Sequence, residues 1–380
     1  MKSLKIRLEL NNQQRTLASK HAGSARYAYN WALDRNKKRL EQKEKLLSSV
    51  DLHKLWVSEV KSVHAWTYEV SKCSPQQAFR DLETGFKRCF IQKIGKFPVF
   101  KKKGQRDSFY LEGAIKAKGN SIKLPKFGWV KCSETLPDVA IKNVVISRQA
   151  DHWFVSFKVP HTTAITEKQT EVVGVDLGIK TLATLSDGKQ FTNPRPYKNY
   201  QRKLRLAQRQ MSKKWVKGKK IQSKNYQKAK GKVAKLHYKV ANIRKDHLHK
   251  LTTYLSKNHA EIVIEDLNVK GMSQNHRLAS AILDGGFYEF KRQLTYKCAW
   301  YGSTLTLAPR YFASSKTCAL CGQKKAQLSL KDRIFRCDSC GHEQDRDLNA
   351  AINLKKQAVS YTASACGALD HQKPAGLGTL

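Results

Sequence analysis

Acids are scarce in this chain beside its bases. Its 380 residues hold 30 Asp and Glu against 72 Lys and Arg, a formal net charge of +42. Solubility needs far less, so the excess points to a polyanionic partner, with nucleic acid ahead of an anionic membrane. Between Asp187 and Asp246 no acid occurs at all. Lys and Arg stay dense there, peaking at Lys213, Lys214, Lys217, Lys219 and Lys220. A merely solvated face normally mixes signs, so this exclusion favours phosphate contact. Also missing is any apolar run near the ~20 residues of a membrane span. The first ten residues alternate charged and apolar like a strand, unlike a signal peptide. A cytoplasmic, nucleoid-associated protein with reduced thiols and no membrane partner is expected.

The length suggests two to three domains. Residues 1–10 read as a strand. Residues 13–42 carry helical periodicity with Leu17, Tyr27 and Trp31, and a second helical region covers roughly 50–70. A third helix is predicted from Ser74 as N-cap, Pro75 at its first position and Gln77 closing a capping box. Phe79, Leu82, Phe86 and Phe90 then make one apolar stripe. The other face offers Lys72, Gln76 and Arg80, which can reach base edges; a solvated face is the plainer reading of each one singly. Aromatics interleave with cations over 96–130, which suits stacking and phosphate contact. A hairpin follows, with Ile141–Ile146 and Trp153–Val159 as its strands. These segments predict a β-barrel domain from 1–10 and 96–165, with a helical domain, 11–95, inserted. Residues 161–170 read as a linker, and 357–380 as a small, polar, mobile tail.

The acids that remain fall in a pattern. The run Val172 to Val175 ends in Asp176, and a second run, Leu182 to Leu185, meets the turn pair Asp187-Gly188. This predicts a hairpin. An acid in a buried strand is costly unless a cation neutralises it. The construction recurs at Glu261-Ile-Val-Ile-Glu265, and Asp345-Arg-Asp347 opens a helix. On that helix Asp347, Ala351 and Leu354 fall at i, i+4, i+7 and share one face; Asp345 reads as its cap. Asp176, Glu265 and Asp347, converging on one sheet edge, are what a pair of Mg²⁺ ions needs, ~3.5–4 Å apart across a phosphodiester. Asp187, Glu261, Asp266, Asp284 and Asp345 are left as turn, cap or supporting groups.

Four of the nine cysteines form two CxxC pairs, Cys318 with Cys321 and Cys337 with Cys340, each followed by Gly. That spacing closes a tetrahedral Zn²⁺ site of zinc-ribbon type, with a structural role because no position stays open. Disulfides are the competing reading, disfavoured in a reducing compartment. Arg333 and Arg336, between the pairs, could touch nucleic acid. Cys73, Cys89, Cys132, Cys298 and Cys366 are scattered singly and read as small buried apolar residues.

Gly174-Val-Asp-Leu-Gly-Ile-Lys180, Ile262-Val-Ile-Glu-Asp-Leu267 and Asp345-Arg-Asp-Leu-Asn-Ala-Ala-Ile-Asn-Leu354 behind the cysteine module closely resemble the TnpB proteins of insertion sequences. Those are transposon-encoded relatives of type V CRISPR nucleases. The resemblance covers nearly the whole chain, with the motifs in family order. It implies a multidomain α/β protein with an RNase H-like (RuvC) nuclease domain over 170–310 and 344–356, interrupted by the zinc ribbon, 311–343. It implies a guide RNA transcribed from the element and RNA-directed cleavage of target DNA, double- and single-stranded. It also implies that the helical region around Lys72 and Gln76 helps read a short duplex motif, and that the ribbon helps load the target strand. A monomer is favoured. Two other readings stay open: an unguided nuclease of RuvC or RNase H type, and a zinc-containing, non-cutting nucleic-acid-binding regulator.

Overall fold

Alternation at the start of the chain becomes strand β1 (Lys2–Glu9), with Ile6 and Leu8 buried and the charged residues between them exposed. The computed structural model describes residues 1–160, 165–219, 221–329 and 332–367, with side chains of the last helix described to Ala358. It divides into two compact units, Met1–His161 and Thr162–Leu380.

In the first unit β1 is followed by α1 (Asn12–Glu41), α2 (Ser49–Leu55) and α3 (Cys73–Phe86). Strands β2 (Ser108–Glu112), β3 (Lys116–Lys118), β4 (Ser121–Leu124), β5 (Gly128–Cys132), β6 (Asn143–Gln149) and β7 (His152–Val159) come next. All seven strands form one sheet, ordered β2-β6-β7-β1-β5-β4-β3. Among the described residues no ladder joins β2 to β3, where a barrel would close. Helix α1 serves two cores. Its Ala18, Ala22 and Ala25 pack on the sheet, while Ala28, Ala32 and Leu33 pack with Trp56, Phe79 and Leu82 of the helical region.

Two local predictions fail here. Helix α3 starts at Cys73, and its N-cap Lys72 makes no side-chain capping bond. Ser74 Oγ instead donates to Tyr110 O of β2 at 3.3 Å, and Gln77 Nε2 donates to Asp81. The neighbouring strand takes the hydroxyl that local sequence assigns to the cap. Phe90 stacks on Phe86, continuing the stripe, but is 47% exposed. After Phe86 the helix widens into a π-turn, Lys87–Ile91, which breaks the 3.6-residue phase.

The second unit contains β8 (Thr170–Asp176), β9 (Thr181–Leu185), β10 (Gln190–Thr192), α4 (Pro196–Ser212), α5 (Lys224–Asn258) and β11 (His259–Glu265). There follow α6 (Val269–Met272), α7 (Ala279–Gly285), α8 (Phe287–Tyr301), β12 (Thr304–Ala308), β13 (Ile334–Arg336), β14 (Glu343–Asp345) and α9 (Arg346–Gly367). The main sheet runs β10-β9-β8-β11-β12, with β8, β11 and β12 parallel and β8-β9-β10 antiparallel. Helices cover both faces, as parallel strands require. Val173, Val175, Ile262 and Ile264 face Leu248, Leu251 and Leu255 of α5 and Phe290 and Leu294 of α8. Val263 faces the other way, onto Leu354 and Ala358 of α9.

Residues 165–170 are not a free linker. Lys168 Nζ donates to Ser256 O, Tyr301 O and Ser303 Oγ at 2.7–3.0 Å, and Thr166 Oγ1 donates to Lys257 O at 2.8 Å. Residues 161–164 of that predicted linker lie outside the described residues. Helix α9 runs on to Gly367, past Lys356 where a tail is predicted; 368–380 lie outside the described residues. Cys73, Cys132 and Cys298 are buried as expected, and Cys89 is half-buried. Cys366 lies where side chains are not described. Among the described residues no helix is long and apolar enough to cross a membrane.

Candidate active site and metal centre

Strands β8 and β11 pair in register, Val175 beside Ile264, and each ends one residue later in an acid, Asp176 and Glu265. Neighbouring strands lie ~4.8 Å apart, so the two acids leave one sheet edge side by side. Period-2 alternation puts Asp176 on the face of Gly174, and Glu265 on the face of Val263. That is the face α9 covers. A Cβ on Gly174 would stand 2.0 Å from Ala351 O and 2.5 Å from Lys355 N. Only glycine lets helix and strand approach this closely, and the approach brings the first turn of α9 to the acids.

Asp345 Oδ1 accepts the N–H groups of Asp347 and Leu348, both at 3.0 Å, and so caps α9. Asp347 lies in the first turn of α9, with Arg346 Nε 3.6 Å from its Oδ1. Burial first, then Glu265, then Asp347 push the Asp176 carboxyl up to about 8, with Arg346 opposing and Asp345 adding. Carboxylate oxygens gathered at a buried sheet edge are the donors that hard divalent cations take. Glu265 Oε1 also accepts a hydrogen bond from Ser314 Oγ, a buried residue the motifs do not include. The remaining acids have local work. Asp284 accepts from Tyr197 N and Lys198 N at the start of α4 and pairs with Arg244. Asp266 pairs with Lys291 and Arg310. Asp187 accepts from Lys189 N, and Glu261 from Thr306 Oγ1.

The cysteine module fits a metal ion. Sγ of Cys318 and Cys340 are 3.7 Å apart, and those of Cys321 and Cys337 are 3.6 Å apart. A tetrahedron with metal–sulfur bonds of ~2.3 Å has edges of ~3.8 Å, whereas a disulfide would need ~2.05 Å. Among the described residues these four are the group of potential ligands whose atoms all lie within 4.8 Å of one another. The two halves repeat one turn. Gly322 N donates to Cys318 O and Gly341 N to Cys337 O, and both glycines have positive φ, 78° and 70°. Backbone N–H groups of Cys340 and then Ser339 hold the Cys337 thiol below its ordinary value, which favours the thiolate. The module is tied to α9 by two asparagines. Asn349 accepts from Ala319 N at 2.8 Å and donates to Thr317 O at 2.7 Å, and Asn353 donates to Ser314 O and Thr317 O.

Ser314 is absent from the sequence prediction, and Gly174, Asn349 and Asn353 stand inside its motifs without an assigned role. A glycine inside a β-branched run was a legible sign of close backbone approach; the other three carry no local signal.

Lys72 and Gln76 line a groove of about 520 Å³ in the first unit with His53, Lys61, Tyr68 and Lys126. Gln76 Nε2 is 3.2 Å from His53 Nε2, and Arg80 is exposed one turn on. Lys213, Lys214, Lys217 and Lys219 are exposed in the connection between α4 and α5. Lys220 lies outside the described residues. Arg333 is exposed just before β13, and Arg336 on it pairs with Glu343.

Three family models match this chain: "Probable transposase" over residues 154–276, "Cas12f1-like, TNB domain" over 287–354, and "Helix-turn-helix domain" over 1–45. The last stretch holds β1 and the single long helix α1. The chain is 36% identical to "Putative RNA-guided DNA endonuclease InsQ" of Escherichia coli, over 97% of this chain and 94% of that one. It is also 36% identical to a "Putative RNA-guided DNA endonuclease" of Streptomyces pristinaespiralis, over 96% and 91%. Its fold is similar to the solved structure of the mini-RNA-guided endonuclease CRISPR-Cas_phi3, with TM-score 0.50 at 10% identity, covering 94% of this chain and 92% of that one. With the cysteine module and the three acidic motifs in their places, the chain belongs to the TnpB family.

Proposed function

We propose that this protein is an RNA-guided DNA endonuclease whose active site is Asp176, Glu265 and Asp347. The observation that supports the site is the convergence of three acids on one sheet edge, Asp176 and Glu265 at the ends of paired strands and Asp347 in the first turn of the helix packed on them. The family relation carries the guide. The sheet order β10-β9-β8-β11-β12 supports an RNase H-like (RuvC) core for the second unit.

In this reading Asp176 and Glu265 hold one side of the site on rigid strand ends, and Asp347 closes it from α9. Gly174 sets the distance between those two sides. Ser314 orients Glu265 by occupying one of its oxygens. Two Mg²⁺ ions bound there would acidify an attacking water and neutralise charge at the departing 3′ oxygen. The cysteine module holds one structural Zn²⁺, and Asn349 and Asn353 pass its order to the helix that carries Asp347. Lys213, Lys214, Lys217 and Lys219 bind phosphates of the guide RNA or target. Lys72, Gln76 and Arg80 read duplex DNA beside the target. Base pairing reads the sequence itself.

The test is purification from cells carrying the native flanking DNA, sequencing of the bound RNA, and cleavage of a matched target. A discrete RNA that directs cleavage is expected. Heterogeneous RNA with unguided cutting would remove the guide and leave a basic nuclease.

A further inference from the structure

The chain from Ala308 to Ser314 wraps the end of β11 that carries Glu265. Ala308 is buried with Val263 and Leu354, and Phe312 packs on the same cluster. Between them Phe312 N donates to Pro309 O at 2.9 Å, closing a tight turn with Arg310 and Tyr311 at its corner. Arg310 is held in place: its Nη2 and Nε lie 2.7 and 3.2 Å from Asp266 Oδ2, while Lys291 Nζ takes Oδ1 at 2.8 Å. Two cations on the Asp266 carboxylate more than offset its charge. Tyr311 is 93% exposed. Among the described residues its side chain has no hydrogen-bond, ring or cation partner. A cavity of about 260 Å³ opens between it and Glu265, Asp266, Asn268 and Arg310. A ring wholly in water adds nothing to the core, yet its backbone is clamped on both sides. That is a presented surface rather than a packed one.

We propose that Tyr311 stacks on an unpaired DNA base next to the scissile phosphate, with Arg310 reaching that nucleotide's phosphate. The turn would then be a nucleotide grip that sets the strand over Glu265. The inference rests on the reading of Glu265 as an active-site acid. Base–aromatic stacking is indifferent to base identity, which suits an enzyme whose sequence information comes from pairing. Arg310 keeps guanidinium donors beyond the two on Asp266, since it has five N–H groups.

Guide-loaded full-length protein and saturating target, followed in a single turnover, test this with Tyr311→Ala, Tyr311→Phe and Glu265→Gln. Tyr311→Ala should slow cleavage about tenfold, the scale of one missing stack. Tyr311→Phe should cut near the wild-type rate. Independently of activity, a target strand carrying 5-iodouracil beside the cut site should photo-cross-link to Tyr311 in the metal-free complex. Wild-type speed in Tyr311→Ala, equal slowing by Ala and Phe, or a cross-link mapping elsewhere would overturn the grip. Wild-type cleavage by Glu265→Gln would instead overturn the acid site, and this proposal with it. An inert Glu265→Gln beside an unimpaired Tyr311→Ala would remove the grip alone.

Discussion

Gly174 and Ala351 touch backbone to backbone: a Cβ on the glycine would lie 2.0 Å from the alanine's carbonyl oxygen. The strand that ends in Asp176 and the helix that begins with Asp347 are set by this contact. Gly174→Ala should therefore damage the site without changing an acid. Overpacking of this kind costs ~1–3 kcal/mol, and more when backbone must move. We expect a lower melting temperature for the second unit and cleavage reduced at least tenfold. Thermal unfolding paired with a cleavage assay checks it. An unchanged melting point with full activity would show that the helix is not held there.

Asp176→Asn should abolish cleavage yet leave RNA and DNA binding intact. It should also stabilise the metal-free protein. The Asp176 carboxyl is raised to about 8 in the fold from an ordinary 3.8. Between those values the folded state binds more protons than the unfolded state, so wild-type stability falls as pH rises through that window. The variant loses this slope and should melt higher than wild type at pH 8, but not at pH 4. Added Mg²⁺ should raise the wild-type melting point and leave the variant's nearly unmoved. Scans at both pH values, with and without Mg²⁺, decide the matter.

Removal of the metal from the cysteine module should reach the active site. Cys318→Ser, or a strong chelator, should lower bound zinc by elemental analysis and loosen residues 317–319 in hydrogen exchange. Asn349 and Asn353 bind those residues, so protection in the first turns of α9 should fall too. A module that unfolds while α9 stays protected would contradict the coupling.

His21 makes a different pH prediction, for the first unit. Burial holds its imidazole down to about 4. Nδ1 donates to Leu17 O at 2.9 Å, and Nε2 accepts from Ser71 N at 2.9 Å, which requires the neutral ring. A depressed histidine contributes stability above its unfolded value of 6.5 that is lost as pH falls toward 4. The loss should approach ~3 kcal/mol. Urea unfolding at pH 7 and pH 4.5 measures it. His21→Gln should flatten the dependence, and an equal slope in both proteins would refute the assignment.

The exposed lysines between α4 and α5 should act by charge alone. Replacing Lys213, Lys214, Lys217 and Lys219 with Ala should weaken RNA binding uniformly across sequences. Every lysine–phosphate pairing removed this way should reduce the salt slope by about one. A change confined to one RNA sequence would argue for base reading instead.

The sequence by itself determined the things that live in short windows. Alternation made β1; the apolar runs made β8 and β11 and put an acid at the end of each. Two CxxC pairs with trailing glycines made the cysteine module, and helix phase separated Asp347 from the cap Asp345. Charge bias alone announced a polyanion. Only the tertiary structure decided where neighbours compete. Strand β2 took the hydroxyl of Ser74 from its cap, a π-turn left Phe90 half exposed, and Lys168 pinned a segment that composition reads as a linker. The closeness of the three acids belongs to that second class. It follows from parallel pairing of strands more than eighty residues apart and from one glycine that lets a helix lie on them. Ser314, Asn349, Asn353 and Tyr311 gain their roles the same way. Their meaning is a distance across the fold, and no local pattern encodes that.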